Sequence, residues 1–334
     1  MSAGACNPDT TVAKASIVLC TYNRSESLRE TIRSLQRQAL KPPELEIVVV
    51  DNNSKDTTKQ TVLQETKESP GLIRYVFEAQ QGLSYARNRG IRETSGDFIA
   101  FIDDDEMADP GWVQNLHNAF LRYQADCVGG KILLKWPSPP PEWLLQHRLE
   151  GQLGFLDRGP AAIVADVSTG EGFLFGGNMA FSRKVFADMG EFRTDLGVVG
   201  SKAARGEDSE MIQRLLKAGK KVVYTPHAVV YHKVPPERMR KSYFRRMSFN
   251  SYRALTTMSA PATKHVQKRI PLWLIKECSE NGLGVLWAYG RGQADMAFRR
   301  EIVFWSQLGQ IAGALDRPRK RGLPVEVAGC QHSA

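Results

Sequence analysis

Three consecutive carboxylates, Asp103, Asp104 and Asp105, follow a predicted strand at residues 97–102. Adjacent carboxylates repel one another unless a cation or solvent stabilises their charge. Alternate side chains on an extended chain point the same way, so Asp103 and Asp105 can converge while Asp104 faces elsewhere. Two carboxylates, completed by phosphate oxygens and water, suit Mg²⁺ or Mn²⁺. The pattern therefore predicts a metal site, and the alternative is a solvated acidic turn.

Strands and helices alternate regularly around these carboxylates. Apolar runs rich in β-branched residues predict strands, and apolar residues three or four apart predict the helices between them. The predicted strands are residues 15–21, 45–50, 72–77, 97–102, 221–224 and 228–232, and the clearest helices are residues 25–38 and 82–94. This order implies an α/β class with a Rossmann-like, mostly parallel sheet flanked by helices.

In such sheets, ligands bind beyond the carboxyl ends of the strands. Three polar clusters fall at these ends: residues 21–24, 51–53 and 103–105. Their coincidence predicts one binding site. At the start of the first helix, Ser27 and Glu30 have the spacing of a capping box.

The composition is typical of a soluble globular protein, with 42% hydrophobic and 24% charged residues among 334. No apolar run reaches the ~20 residues that span a bilayer, and the polar start of the chain has no signal-peptide core. The five cysteines are scattered without a C-x-x-C pair, which argues against a disulfide framework or a thiolate zinc site. We therefore predict a cytoplasmic protein.

Basic residues are concentrated in the last third of the chain. Residues 1–235 carry 28 Lys+Arg against 29 Asp+Glu, whereas residues 236–334 carry 17 against 7. We predict an N-terminal tail at residues 1–14, a catalytic α/β domain at residues 15–235 and a basic helical region at residues 236–334. A basic segment attracts nucleic acid, anionic membrane or an acidic substrate.

Several short motifs together resemble the family 2 glycosyltransferases with the GT-A fold, over residues 15–235. They are IVLCTYNR (17–24), VVVDNNS (48–54), GLSYARNRG (82–90), FIDDD (101–105), GGN (176–178), GED (206–208) and YH (231–232). Each motif is weak alone, but their order and spacing are specific. The resemblance implies a metal-dependent, inverting enzyme that moves a sugar from a nucleotide-sugar, expected to be a UDP-sugar, to an acceptor hydroxyl.

The resemblance also implies which residues hold the donor. Asp51 is expected to hydrogen-bond the base, usually uracil, and the alternative is a turn aspartate. The expected metal ligands are Asp103, Asp105 and His232, although a histidine at a strand end is often only hydrogen-bonded. The expected nucleotide contacts are Thr21, Tyr22, Asn23, Arg24, Asp51, Arg87, Asp103 and Asp104. The alternative for Arg87 is a helix-surface charge.

Acceptor and catalytic residues are implied in the second half of the domain. Gly176, Gly177 and Asn178 are expected to line the donor-sugar and acceptor site. Inverting transfer needs a base that takes the proton of the acceptor hydroxyl, and the Glu-Asp motif assigns this role to Asp208. A helix N-terminus favours the ionised aspartate. The alternative is a helix-capping role for Asp208, with Glu207 as the second candidate base.

Other functions fit the sequence less well. A non-catalytic module that binds nucleotide-sugars would not need Asp105 together with Asp208. Nucleotidyltransferases on related sheets typically carry a glycine-rich, basic loop after the first strand, and residues 21–24 contain no glycine. Nucleic acid is suggested only by the basic C-terminal region, which has none of the usual binding motifs. We predict no nucleic-acid partner.

The C-terminal region suggests peripheral contact with an anionic membrane. Between residues 237 and 253, cations are interleaved with Met and aromatic side chains, and residues 270–275 and 285–289 add apolar, Trp-bearing surface. Such helices can lie in a membrane interface, and the alternative is packing on the catalytic domain. The membrane hypothesis places the enzyme at the inner face of a bacterial membrane, with a saccharide or lipid-linked acceptor. Homo-oligomer formation stays open.

Overall fold

The computed structural model describes residues 14–169, 173–198, 206–259 and 270–315. The described residues up to Phe244 form one compact unit, and those from Arg245 onward form a second. The composition change after Pro235 lies inside the first unit, so the boundaries predicted from composition remain predictions. Apart from Lys14, the predicted N-terminal tail lies outside the described residues, as do residues 316–334.

Strands and helices alternate through the first unit. The strands are β1 (Ala15–Thr21), β2 (Leu45–Asp51), β3 (Ile73–Phe77), β4 (Phe98–Asp103), β5 (Glu106–Ala108), β6 (Cys127–Lys135), β7 (Ile163–Val164), β8 (Met179–Ser182) and β9 (Val222–Lys233). The helices are α1 (Ser25–Gln36), α2 (Thr58–Glu68), α3 (Leu83–Glu93), α4 (Trp112–Tyr123), α5 (Glu142–Gln146), α6 (Arg183–Met189) and α7 (Glu207–Lys217), followed by α8 (Lys241–Ser259), α9 (Leu272–Gly290) and α10 (Ala294–Leu315).

One sheet contains all these strands in the order β3-β2-β1-β4-β8-β6-β9-β5, with β7 also paired to β9. The first four strands of this order are parallel, which confirms the predicted α/β class. Beyond β4 the sheet is mixed, because β8 runs antiparallel to both β4 and β6 while β6 and β9 are parallel.

The two strands predicted at residues 221–224 and 228–232 are one strand, β9. Its pairing with β6 shifts register, since Gly130 faces Thr225 while Lys131 faces Val229. Pro226 lies in the bulge and has no N–H for a regular ladder, which is why the sequence pattern breaks there. A Cβ at Gly130 would overlap the carbonyl of Ala228, so glycine allows the two strands this close approach.

Helices cover both faces of the sheet because strand residues alternate between two buried layers. Ile17 and Leu19 of β1 face a core that includes α1, α2 and α4. Val18 of β1 faces the opposite core, to which α3, α6 and α7 contribute. Burial on both faces explains the continuous apolar runs from which the strands were predicted.

The first turn of α1 differs from the predicted capping box. The helix begins at Ser25 after Arg24, whose side chain makes no capping hydrogen bond, and Asp56 accepts from the main-chain N–H of Ser25 at 3.2 Å. The Ser27 hydroxyl instead donates to the main-chain carbonyl of Asp104 at 2.7 Å. Glu30 pairs with Lys233 at 2.7 Å, so long-range partners replace the local capping bonds.

The carboxyl ends of three adjacent strands are level. Thr21 at the end of β1 lies opposite Asp51 of β2, and Cys20 lies opposite Asp103 of β4. The three polar clusters predicted from the sequence therefore share one edge of the sheet.

In the second unit, α9 and α10 are joined by a short connection, residues 291–293. Arg245 pairs with Glu301 at 2.6 Å, and the Tyr289 hydroxyl donates to the same carboxylate at 3.0 Å. None of the helices within the described residues combines the length and the apolar character needed to cross a membrane.

Candidate active site

Asp104 ties the loop after β1 to the turn after β4. Its buried carboxylate accepts hydrogen bonds from the Thr21 hydroxyl at 2.7 Å and from Arg24 at 2.8 Å. Burial raises the pKa of Asp104 to about 6, although Arg24 opposes the rise. Both carboxylate oxygens have protein partners, so Asp104 holds the loop in place. A nucleotide contact by Asp104 stays a prediction.

Asp105 lies among nitrogen-bearing side chains. Its Oδ2 atom is 2.8 Å from Nη1 of Arg24 and 3.4 Å from Nε2 of His232. Nη2 of Arg238 is 3.7 Å from the same oxygen. Although burial opposes ionisation, the positive charges of Arg24 and Arg238 help to hold the pKa of Asp105 below its usual range. The antiparallel pairing of Glu106 in β5 with His232 in β9 brings the distant histidine to this carboxylate.

The ring of His232 turns an acceptor nitrogen toward Asp105. Nδ1 lies 2.6 Å from the carbonyl oxygen of Leu153, which can only accept, so Nδ1 carries the hydrogen of a neutral ring. Nε2 is then an acceptor, with Nη1 of Arg238 at 3.4 Å as its donor. Two ligands of one Mg²⁺ ion with bonds of ~2.1 Å lie about 3 Å apart. The 3.4 Å between Nε2 and Oδ2 of Asp105 therefore fits a shared divalent ion.

Asp103 is the most open of the three aspartates. Its side chain is 45% exposed, against 7% for Asp104 and 13% for Asp105. In the part of the chain that the structure describes, no three His, Cys, Asp or Glu side chains are grouped so as to hold a metal ion. Mg²⁺ is commonly held by one or two carboxylates together with substrate phosphates and water. Asp105 and His232, whose Oδ2 and Nε2 atoms are 3.4 Å apart, offer two donors of the expected kind, and a third protein ligand from Asp103 stays a prediction.

Asp51 is buried at the end of β2, with partners on both carboxylate oxygens. Oδ2 accepts from the Tyr75 hydroxyl and Oδ1 from the main-chain N–H of Ser54, each at 2.9 Å. Burial and the bond to Asp51 raise the pKa of Tyr75, so its phenol stays protonated and donates. Each carboxylate oxygen can accept two hydrogen bonds, but Asp51 is only 2% exposed, so a bond to a base N–H stays a prediction.

Asn23 joins the loops that follow β1 and β2. Its backbone is left-handed, with φ at 53°, a conformation that asparagine adopts more readily than most residues. Its main-chain N–H donates to Ser54 at 2.9 Å, and its side-chain oxygen accepts from the N–H of Lys55 at 2.7 Å. Tyr22 and Arg24 keep exposed surface on either side. All three residues are exposed, and Asn23 in addition holds the two loops together.

The turn Gly176–Asn178 is braced from behind by Asn178. This side chain is fully buried, and its Oδ1 accepts from the Trp112 indole at 2.8 Å. Its two amide hydrogens go to the carbonyls of Lys131 and Ala228, each at 2.9 Å. The Asn178 side chain has no exposed surface and braces the turn, so the expectation that Gly176, Gly177 and Asn178 line the donor-sugar and acceptor site stays a prediction. Trp112, which the sequence analysis did not single out, completes the brace.

Glu106 is a further buried acid at this site, and the sequence analysis did not identify it. A Cβ at Gly177 would overlap its carboxyl oxygens, so the carboxyl lies directly against this glycine. The main-chain N–H of Asp103 donates to it at 3.3 Å. Burial and the nearby charges of Asp103 and Asp105 raise the pKa of Glu106 well above its ordinary value. Its position directly after the three aspartates was the available signal.

Glu207 and Asp208 are the first two residues of α7, but their surroundings differ. Asp208 is partly exposed and accepts from the main-chain N–H groups of Gly176 at 3.0 Å and Ser209 at 2.8 Å. Glu207 is 5% exposed and bonds to Arg87 at 2.9 Å. Burial raises the pKa of Glu207, and Arg87 opposes the rise. Asp208 is therefore the more accessible candidate base.

Comparisons with known proteins agree with the sequence resemblance. The model of the family described as glycosyl transferase family 2 matches residues 16–190. The glucosyl-dolichyl phosphate glucuronosyltransferase of Haloferax volcanii is 30% identical over 225 residues, covering 66% of this chain and 69% of the relative. The succinoglycan biosynthesis protein ExoM of Rhizobium meliloti is 29% identical over 239 residues, covering 70% and 72%.

Two solved structures share the fold. A mannosyltransferase from Pyrobaculum calidifontis, in complex with GDP-Man and Mn²⁺, has a TM-score of 0.58 at 19% identity, covering 91% of this chain and 87% of its own. GalNAc-T7 with UDP, GalNAc and Mn²⁺ has a TM-score of 0.56 at 17% identity, covering 77% and 53%. At these identities the likeness shows the architecture alone.

Proposed function

This chain belongs to glycosyl transferase family 2 and is a glycosyltransferase of the GT-A fold, and from this premise we propose a metal-dependent, inverting transfer from a nucleotide-sugar to an acceptor hydroxyl. One observation carries the proposal. Arg87 contacts both Asp103, at the end of β4, and Glu207, next to Asp208. The candidate donor site and the candidate base therefore adjoin at one edge of the sheet.

The donor side of the proposal is built from Asp51, Asp103, Asp105 and His232. Asp103, Asp105 and His232 would hold Mg²⁺ or Mn²⁺, which would supply charge stabilisation for the departing diphosphate. Arg24 lies beside Asp105, and its positively charged side chain is 43% exposed. Asp51 would accept from an N–H of the base. A UDP-sugar is our proposed donor, and the fold neighbours include structures with GDP-Man and with UDP.

Asp208 is our proposed base. Two main-chain N–H groups, from Gly176 and Ser209, hold its carboxylate. A carboxylate held in this way can accept the proton of an acceptor hydroxyl. A Cβ at Gly177 would overlap the buried carboxyl of Glu106, and Asn178 braces the turn from behind. We propose that the turn formed by Gly176 and Gly177 borders the place where sugar and acceptor would meet.

We propose a lipid-linked saccharide as the acceptor, at the inner face of a bacterial membrane. One relative is named for a glucosyl-dolichyl phosphate and another for succinoglycan biosynthesis. Helix α9 carries large apolar side chains that are mostly exposed, among them Leu272 (82%), Leu283 (68%) and Leu286 (69%). Apolar surface of this kind is suited to a membrane interface.

A donor screen with a matched variant tests the proposal. Wild-type protein is incubated with a panel of UDP- and GDP-sugars plus Mn²⁺, and nucleotide release is measured with and without lipid-linked and free saccharides. Asp208→Asn keeps the size of the side chain but removes the base, so turnover should fall by ~10²-fold or more, while nucleotide affinity stays nearly unchanged. Release by neither protein with any donor would contradict the proposed activity. Full activity of the variant would assign the base role elsewhere.

A further inference from the structure

Arg87 is a buried cation in the middle of the site. It lies on α3 with 3% of its side chain exposed. The rings of Phe101 and Phe192 lie 5.9 Å and 5.4 Å from its guanidinium carbon. A charge buried among aromatic rings is costly unless it is paired. The surface role considered for Arg87 from the sequence is therefore excluded, and so little exposed area leaves scant room for a nucleotide contact.

Three segments of the site meet at this guanidinium. Nη1 donates to Glu207 of α7 at 2.9 Å, and Nη2 lies 3.8 Å from Asp103 of β4. Gly176 lies so close that a Cβ there would overlap Nη2. Burial opposes the charge, but Glu207 and Asp103 raise the pKa of Arg87 and keep it protonated.

Asp208 is held by two of the segments that Arg87 contacts. It follows Glu207 directly in the first turn of α7. Its Oδ2 accepts from the N–H of Gly176 at 3.0 Å. A displacement of either Glu207 or the Gly176 turn would therefore move the carboxylate of Asp208. Errors of ~1 Å in the placement of a catalytic group can cost ~10²-fold in rate.

We propose that Arg87 and Glu207 form a positioning pair that sets the place of Asp208 relative to Asp103. The proposal rests on the function proposed above. In it, Glu207 is not a second base, and Arg87 touches neither nucleotide nor sugar. The pair fastens the start of α7 to α3 and to the end of β4, so that the proton acceptor stands at a fixed distance from the donor site.

Glu207→Gln is the first test, because it keeps size and hydrogen-bonding capacity while removing the charge. We expect kcat to fall by about tenfold or more, with the Kd for UDP and the donor KM changed less than threefold. Arg89→Met is the matched control, since Arg89 lies on the same helix and pairs with Glu93 at 2.9 Å on the surface. The control should keep wild-type kcat. A tenfold loss of UDP affinity in Arg87→Met would instead make Arg87 a nucleotide ligand and overturn the proposal.

A double-mutant cycle identifies the residue through which the pair acts. If Glu207 acts through Asp208, Glu207→Gln should reduce kcat no further in an Asp208→Asn background. Additive losses would contradict this. The double variant Arg87→Met/Glu207→Met replaces the pair with apolar side chains that can pack at the same place. Recovery of both Tm and kcat in that variant would make the pair merely structural.

Amide hydrogen exchange gives a readout without turnover, so failure of the proposed activity is distinguishable from failure of the positioning role. Peptides that contain the Gly176 amide and the first turn of α7 should exchange at least tenfold faster in Glu207→Gln than in wild type. Arg89→Met should leave them unchanged. Unchanged exchange in Glu207→Gln would overturn the proposal, whether or not a donor has been found.

Discussion

At the scale of single residues, neighbouring identical side chains have different roles. Asp103 is largely open, Asp104 is bonded to Thr21, and Asp105 is held among cations. The difference arises from contacts with β1 and β9, because chemically the three carboxylates are alike. A ligand can reach an aspartate that is exposed, as Asp103 is. A cation can bind an aspartate that offers it ligand atoms, as we propose for Asp105.

Single aspartates should make nucleotide binding depend on a divalent metal ion. We expect UDP to raise the Tm of the wild-type protein with Mn²⁺ or Mg²⁺ present and not in excess EDTA, because a ligand that binds the native state stabilises it. Asp105→Asn should abolish the Mn²⁺-dependent rise. Asp188→Asn, which changes a surface carboxylate paired with Lys220, should retain it. Equal stabilisation by UDP in EDTA would rule out the metal role.

At the scale of secondary structure, the site depends on a few long-range braces. Asn178 connects a turn to α4, β6 and β9 through three hydrogen bonds, and the Asp104 carbonyl receives the hydroxyl of Ser27 from α1. Turns carry few apolar contacts of their own, so buried polar bonds decide their position. A brace of this kind should contribute to stability as well as to activity.

Asn178→Ala tests the brace. Removal of the amide leaves the Trp112 indole and two carbonyls without their partner, and each unsatisfied buried group costs ~1–3 kcal/mol. We expect a loss of about 3 kcal/mol or more in urea unfolding. Asn118→Ala is the control, because Asn118 is exposed and bonds only to Gln114 among the contacts described; it should change stability by less than ~0.5 kcal/mol. A loss below ~1 kcal/mol for Asn178→Ala would contradict the bracing role.

At the scale of the whole molecule, charge and apolar surface are unevenly distributed. The net charge is −1 for residues 1–235 and +10 for residues 236–334. The aromatic cluster predicted for a membrane interface at residues 237–253 is partly used inside the protein, since Phe244 is fully buried and packs on Trp143. Exposed apolar side chains are concentrated on α9, which contains the predicted apolar segment at residues 285–289 and most of that at residues 270–275. This helix is therefore the better candidate for membrane contact.

Flotation of the full chain with phosphatidylglycerol vesicles tests that candidate. We expect binding at low salt, and we expect Leu283→Ser/Leu286→Ser to reduce it by about tenfold or more, because each fully buried leucine contributes ~1.5–3 kcal/mol. Leu121→Ser, a 56% exposed leucine on α4, is the matched control and should bind like wild type. If the full chain stays in solution, the membrane hypothesis is wrong. A dimer that the double variant disrupts would assign the α9 surface to a second copy.

Local patterns in the sequence were sufficient to predict the alternation of strands and helices, the parallel start of the sheet and the polar clusters at the strand ends. Apolar periodicity reports which residues are buried, and polar runs report where strands end. The glycosyltransferase family was predicted separately, from the resemblance of several short motifs. Which distant residues contact one another depends on the tertiary structure. The bonds Tyr75–Asp51, Trp112–Asn178 and Arg87–Glu207 join distant positions. They depend on the order of the strands and on how the helices pack against them, and periodicity carries no information about either.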